Sequence, residues 1–213
     1  MKLNYEVKEH DLETCSLMTT HYFYRNEDGS TRIESFDTQG NKEGYQFLQK
    51  NVSEFEYYLR KCVRVSDFRE KIELSGVTSW NHAHISFNNS DKFVKCNFAI
   101  SNREVKKIRD YFDGLDKCEE ILNLVDKLFY VNFKGNPFVF VQIYVDGSTS
   151  IEFNDIYDTD GFFRYCIENE LLYENQVKYI SKFVGAFTIK FKWTDAHLQR
   201  KFYYRQSTTP INT

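Results

Sequence analysis

The sequence predicts an α+β protein, mainly antiparallel β-sheet with helices packed on one side. Three observations carry this: two Asp-Gly turns flanked by β-branched and aromatic runs, stretches of alternating apolar and polar residues, and stretches with apolar residues every three or four positions. Of the 213 residues, 41% are hydrophobic and 17% aromatic, enough apolar surface for a folded core at a net charge of only −3. The length admits one large domain or two small ones.

The elements follow in order. Residues 20–24 and 31–33 flank Asp28-Gly29, which supplies the positive φ angles of a tight hairpin turn. A helix is expected over 43–63, because Tyr45, Leu48, Val52, Phe55, Leu59 and Cys62 fall on one face. Strands are expected over 69–74, 79–87 and 92–100. In the last two, Ala83, Ile85 and Phe87 alternate with His82, His84 and Ser86, and Val94, Cys96, Phe98 and Ile100 alternate with Lys95, Asn97 and Ala99. This reads as an antiparallel sheet with one wet face. Ser101-Asn102-Arg103-Glu104 matches a capping box for a helix that Gly114 ends, and a second helix starts near Asp116 with Cys118, Ile121, Leu122, Val125, Leu128 and Phe129 as its stripe. Strand character returns over 138–145 and 149–153 around Asp146-Gly147. Asp160 caps a helix running to about 184, and two strands follow, 187–193 and 199–204.

The expected organisation is a first α+β lobe over 1–100, a central helical connection over 101–134, a second α+β lobe over 135–206 and a flexible tail over 207–213. An internal echo motivates the two lobes. Asp28-Gly29-Ser30-Thr31-Arg32-Ile33-Glu34 matches Asp146-Gly147-Ser148-Thr149-Ser150-Ile151-Glu152 at six of seven positions, and a nearby register aligns Tyr58, Lys61 and Val63 with Tyr179, Lys182 and Val184. One reading is duplication of a hairpin-helix-strand unit; the other is two unrelated hairpins sharing a favoured turn sequence.

Several classes are excluded by pattern. The longest apolar run, 138–141, is strand-sized, far below a membrane helix, and Lys2 and Glu6 stand where a signal peptide would be apolar, so a cytoplasmic location is expected. Five scattered cysteines without a C-x-x-C pair argue against zinc and disulfides and for buried thiols. Walker, dinucleotide-binding, nucleophile-elbow and kinase motifs are missing. No metal site or cofactor is expected.

Three features remain as candidate sites. His82 and His84 lie two apart on a strand beside Trp80, able to act as acid and base, yet without a third ligand at a recognisable spacing; exposed strand histidines are the plainer reading. Asp158 and Asp160 fit a calcium loop only in part, since Ile156 and Ile167 fall on essential ligand positions, so they read as turn and capping residues. Finally, residues 146–174 hold eight acids against one base, and residues 190–205 hold five bases against one acid. The acidic block, interleaved with Tyr157, Phe162 and Tyr173, suits docking on a basic protein, with Asp155, Tyr157, Asp158, Asp160, Glu168 and Tyr173 as contact residues. The competing reading lays the chain's own basic strand across the acidic helix.

The sequence therefore favours a non-enzymatic binding or inhibitor protein that occludes a partner protein, of the toxin-immunity or phage anti-defence type, without membrane or nucleic acid. The alternatives are a hydrolase or nucleotide-binding enzyme using His82 and His84, and a nucleic-acid binder using the basic, aromatic carboxy-terminal strands, where core packing with edge lysines explains the same pattern.

Overall fold

The computed structural model describes residues 5–14, 16–25, 31–37, 42–47, 52–62, 83–90, 92–100, 108–109, 111–130, 138–156, 159–183, 187–194 and 197–207. Ten antiparallel strands form a closed barrel: β1 (Tyr5–Asp11), β2 (Ser16–Arg25), β3 (Thr31–Asp37), β4 (Lys42–Phe47), β5 (His84–Asn88), β6 (Phe93–Ile100), β7 (Phe138–Tyr144), β8 (Thr149–Ile156), β9 (Phe187–Trp193) and β10 (Leu198–Ser207). Each strand pairs with its neighbours in sequence, and β1 closes the ring by pairing with β10, Tyr5 opposite Ser207 and Asp11 opposite Lys201. Closure leaves no free sheet edge among these strands. Four helices accompany the barrel among the described residues: α1 (Val52–Leu59), α2 (Cys118–Tyr130), α3 (Thr159–Glu168) and α4 (Glu174–Ile180). The α+β class with predominant antiparallel sheet thus holds.

The turn at Asp146-Gly147 forms as the dipeptide dictates. Gly147 takes φ +85°, its N–H donates to the Tyr144 carbonyl, and Asp146 Oδ1 accepts from the Ser148 N–H at 2.9 Å and its hydroxyl at 2.6 Å. Burial pushes the Asp146 carboxyl up, but those two hydrogen bonds and nearby Lys192 outweigh it and hold it below the usual range.

Two expected helices are corrected. Residues 43–47 are strand, not helix: Tyr45, Gln46 and Phe47 pair with Ser86, Ile85 and His84, so ladder hydrogen bonding overrides the three-and-four spacing, and the helix is confined to α1. The expected helix from 160 to 184 breaks into α3 and α4. Glu170 turns into the left-handed region at φ +58°, and the N–H groups of Leu171 and Leu172 fold back onto the Cys166 carbonyl at 2.7 and 3.2 Å. This is a helix stop made without glycine, and it buries Leu171 and Leu172. Lys117, also left-handed at φ +56°, pairs with Glu170 at 2.9 Å and ties the entrance of α2 to this turn. The expected strand 69–74, the Asp28-Gly29 turn and the capping box at 101–104 lie outside the described residues.

The internal duplication is not confirmed. The register that superposes α1 on α4 also sets strand β4 against helix α3.

The apolar set of the strands makes the core, and the helices cover it. Phe55 of α1 meets Phe98 of β6 at a 6.0 Å ring separation, Phe162 of α3 meets Phe153 of β8 at 5.9 Å, and Phe112 meets Trp193 of β9 at 5.2 Å. Trp193 donates its indole N–H to the Asp116 carbonyl. Ile121, Leu122, Val125 and Leu128 of α2 join the same core, which runs without interruption from Leu12 to Phe202. All four described cysteines are free and buried, and burial raises the thiol of Cys118 to about 11.

Candidate functional site

Alternation leaves the second set of strand side chains on the other face of a closed wall, and that face is polar. It carries Ser86, Lys95, Asn97, Gln142, Tyr144, Ser150, Lys190 and Tyr203, all buried, with Lys95 only 4% and Lys190 5% exposed. The face expected to be wet is the barrel interior. Of the lysines read as edge residues, Lys190 is buried and Lys192 and Lys201 are half-buried on the same face of the closed sheet. Lys95 of β6 and Lys192 of β9 both reach the ring of Tyr144 on β7, one from each side of that strand.

A continuous polar network lines one side of this space. Tyr144 Oη and Ser150 Oγ both donate to Gln142 Oε1, at 2.9 and 2.7 Å, and Gln142 Nε2 donates to Glu152 Oε2 at 3.0 Å. Glu152 in turn faces Lys190 Nζ at 3.8 Å, and that ammonium lies 4.7 Å from the Tyr203 ring centre. Lys201 Nζ meets Glu9 Oε1 at 2.7 Å. Burial opposes the charge on Lys201, but the Glu9 carboxylate outweighs it and the ammonium is held above its usual range. Two lysines share one ring: Lys192 Nζ lies 4.2 Å and Lys95 Nζ 5.2 Å from the centre of Tyr144.

Charged side chains of both signs gather here. Glu152 lies 3.8 Å from Lys190, Glu9 lies 2.7 Å from Lys201, and Lys192 lies near Asp146, whose carboxyl it helps hold below the usual range. Two buried amide atoms on the same face have no hydrogen-bond partner, Asn97 Oδ1 and Asn154 Nδ2. Asn97 Nδ2 reaches Ser86 Oγ at 3.3 Å, and Asn154 Oδ1 accepts from Thr188 Oγ1 at 3.0 Å. Buried polar atoms left open in this way mark a place where a ligand or water completes the set.

The histidine pair is only half placed. His82 lies outside the described residues, whereas His84 is half-buried on the inner face with Phe140 at a 6.0 Å ring separation, and so does not face solvent as an exposed strand histidine would. No group of three metal-ligating side chains is found among the described residues.

The acidic block is dispersed. Asp160 and Glu168 are exposed on α3, and Tyr173 is 52% exposed at the start of α4. Tyr157 and Asp158, and the side chain of Asp155, lie outside the described residues. Phe162 is a correction, for it is buried against Phe153 and Phe187 and offers nothing to a partner. Glu152 points into the barrel, and Glu170 is engaged by Lys117, which holds its carboxyl below the usual range.

Arg200 of the basic carboxy-terminal segment is likewise engaged. Arg200 donates through Nε to the Leu171 carbonyl at 2.6 Å and through its terminal nitrogens to the carbonyls of Leu198 and Glu170 and to Glu13, with its guanidinium over the Tyr173 ring. It therefore clamps the turn between α3 and α4, close to the reading in which the basic strand lies across the acidic helix. Phe191, Trp193, Phe202 and Tyr203 are buried and unavailable as stacking platforms for nucleic-acid bases.

Sequence reasoning missed the lysine-lined interior, although the alternation of Thr188, Lys190 and Lys192 with Phe187, Ile189 and Phe191 was visible. The missing knowledge was closure, which decides whether a polar face meets solvent. No protein-family model matches the sequence, and no curated protein is significantly similar to it.

Proposed function

We propose that the protein is a non-enzymatic binding protein that takes a small anionic ligand inside its barrel. The observation that carries this reading is the convergence of four lysines, Lys95, Lys190, Lys192 and Lys201, on one face of the closed wall, beside Glu9, Glu152 and Asp146. Like charges gathered in a poorly screened space repel one another, and an anion relieves that repulsion without any change of fold. Ten strands also enclose a wider interior than eight, and eight already suffice to hold one small ligand. The nucleotide-binding alternative is compatible with this interior, with His84 on the wall in place of the histidine pair.

The test is calorimetric titration of the intact protein with small phosphate-, sulfate- and carboxylate-bearing anions at low ionic strength, repeated on Lys192→Met. Saturable binding that the substitution weakens at least tenfold is the expected result. Binding that Lys192→Met leaves unchanged would remove the interior as the site.

A second reading, occlusion of a basic partner protein as inhibitors and immunity proteins do, is favoured by one observation. Tyr173 exposes half its surface near Glu174, and Asp160 and Glu168 are exposed on the preceding helix. Reversing Asp160 and Glu168 to Lys should abolish capture of a basic protein by the folded chain; retained capture would discard this surface.

A further inference from the structure

We propose that α4 is a proton-operated strap over the seam at which the barrel closes. When His10 takes up a proton, the segment from Val177 to Phe183 lifts off β1 and β10 while the wall stays folded. This goes beyond the ligand reading and holds whatever the interior binds. The seam is the pairing of the first strand with the last, where His10 stands opposite Phe202. α4 and the turn after it touch both sides of that seam. Gln176 Nε2 donates to the Leu12 carbonyl at 3.3 Å, and His10 Nδ1 lies 2.8 Å from the Tyr179 hydroxyl. Phe183 packs on His10, Phe202 and Tyr204 at ring separations of 5.0, 5.1 and 4.9 Å.

His10 is the latch because its site suits a neutral ring and not a charged one. An imidazolium has two N–H donors to satisfy, and Tyr179 meets only Nδ1. Nε2 is buried and, among the described residues, has no hydrogen-bond partner. A charged donor left open among aromatic rings is costly. On its own strand, Lys8 opposes the proton and Glu9 favours it, and burial outweighs Glu9. From the α4 side come Tyr179 and the Lys182 ammonium, 5.5 Å from the centre of that ring. β10 brings Phe202, with Tyr204 beyond it, and β2 sets Leu17 opposite. The strap also has a held end. Arg200 pins the α3–α4 turn through the Glu170 and Leu171 carbonyls, and Gln176 Oε1 accepts from the Tyr173 N–H at 2.9 Å. Past that point a helix of seven residues does not persist without its packing, so release is hinged at the start of α4.

The experiment measures amide hydrogen exchange of the full chain from neutral pH to about one unit below the His10 midpoint, with each rate corrected for the intrinsic effect of pH. The His10 ring is followed by NMR in the same samples. Amides of 177–183 should exchange faster than those of β7 and β8, should be insensitive to low urea, and should speed up at least threefold as His10 protonates. His10→Gln keeps a hydrogen-bonding side chain without the titration and should abolish that increase. Tyr179→Phe removes the one acceptor of the imidazolium and should move the His10 midpoint lower. Exchange of 177–183 that matches β7 and β8 and rises with urea as theirs does would overturn the strap, because the segment would then open only with the whole fold. An increase that ignores the His10 midpoint, or that persists in His10→Gln, would overturn the latch. The comparison of regions within the unmodified chain decides the proposal even where a variant does not fold.

Discussion

Both faces of the barrel wall hold buried residues, and they are chemically opposite. On the outer face Phe98, Val141, Ile151, Phe153, Ile189 and Phe191 are sealed in the apolar core; on the inner face Lys95, Asn97, Gln142, Ser150 and Lys190 are buried among polar neighbours. The first kind of burial is driven by removing apolar surface from water. The second costs desolvation, which Gln142, Glu152 and Tyr144 repair in part. A face that is costly to bury and does not drive folding is where a binding function is expected. The contrast also divides the effects of mutation: outer-face changes should act on stability and inner-face changes on binding.

The largest effect should come from the outer face. Phe153→Ala removes a ring packed between Phe162 and Phe191 and should cost about 3–5 kcal/mol in urea unfolding. A loss under about 1 kcal/mol would mean that α3 does not seal this face. Next comes Arg200→Leu, which leaves the Leu171, Glu170 and Leu198 carbonyls short of a donor and should cost roughly 2–3 kcal/mol, with the α3–α4 turn becoming more susceptible to proteolysis.

A smaller effect is expected from pH. His10 lies under α4 among Tyr179, Phe183 and Phe202, and its Nδ1 is 2.8 Å from the Tyr179 hydroxyl. Burial, helped by Lys8 and opposed by Glu9, lowers its pKa below 6.5, so the folded chain holds His10 neutral where the unfolded chain protonates it. Unfolding therefore takes up a proton in that window, and stability should be full above pH 6.5 and fall as the pH drops toward the lowered pKa. The melting temperature should follow, and His10→Gln should flatten that part of the profile. A slope unchanged in the variant would assign it to other groups.

The smallest effect on stability is expected on the inner face. Lys192→Met removes a partly desolvated cation and should change stability by less than about 1 kcal/mol, in either direction, while weakening anion binding at least tenfold. Severe destabilisation by this change would erase the division between the faces.

Much of the wall was legible in the sequence, because β9 alternates apolar and polar residues and the Asp146-Gly147 turn between β7 and β8 declares itself. β4 was not, since Tyr45 and Leu48 continue a helical spacing and only pairing with β5 makes 42–47 a strand. Glu170 hid the break between α3 and α4 because a left-handed stop without glycine leaves no compositional mark. The site was hidden for a different reason. Lys190 and Lys192 present the same pattern on an open sheet and in a closed barrel, and the closing pair, β1 with β10, joins opposite ends of the chain.

The central claim is that these lysines face an enclosed interior that receives an anion. The most direct measurement is the ¹⁵N-resolved spectrum of the lysine ammonium groups, assigned by single Lys→Arg changes, before and after addition of tripolyphosphate. The account predicts signals from Lys95, Lys190, Lys192 and Lys201 that are protected from exchange with water and shift together on titration. Exchange as fast as that of exposed Lys178, or shifts confined to surface lysines, would contradict it.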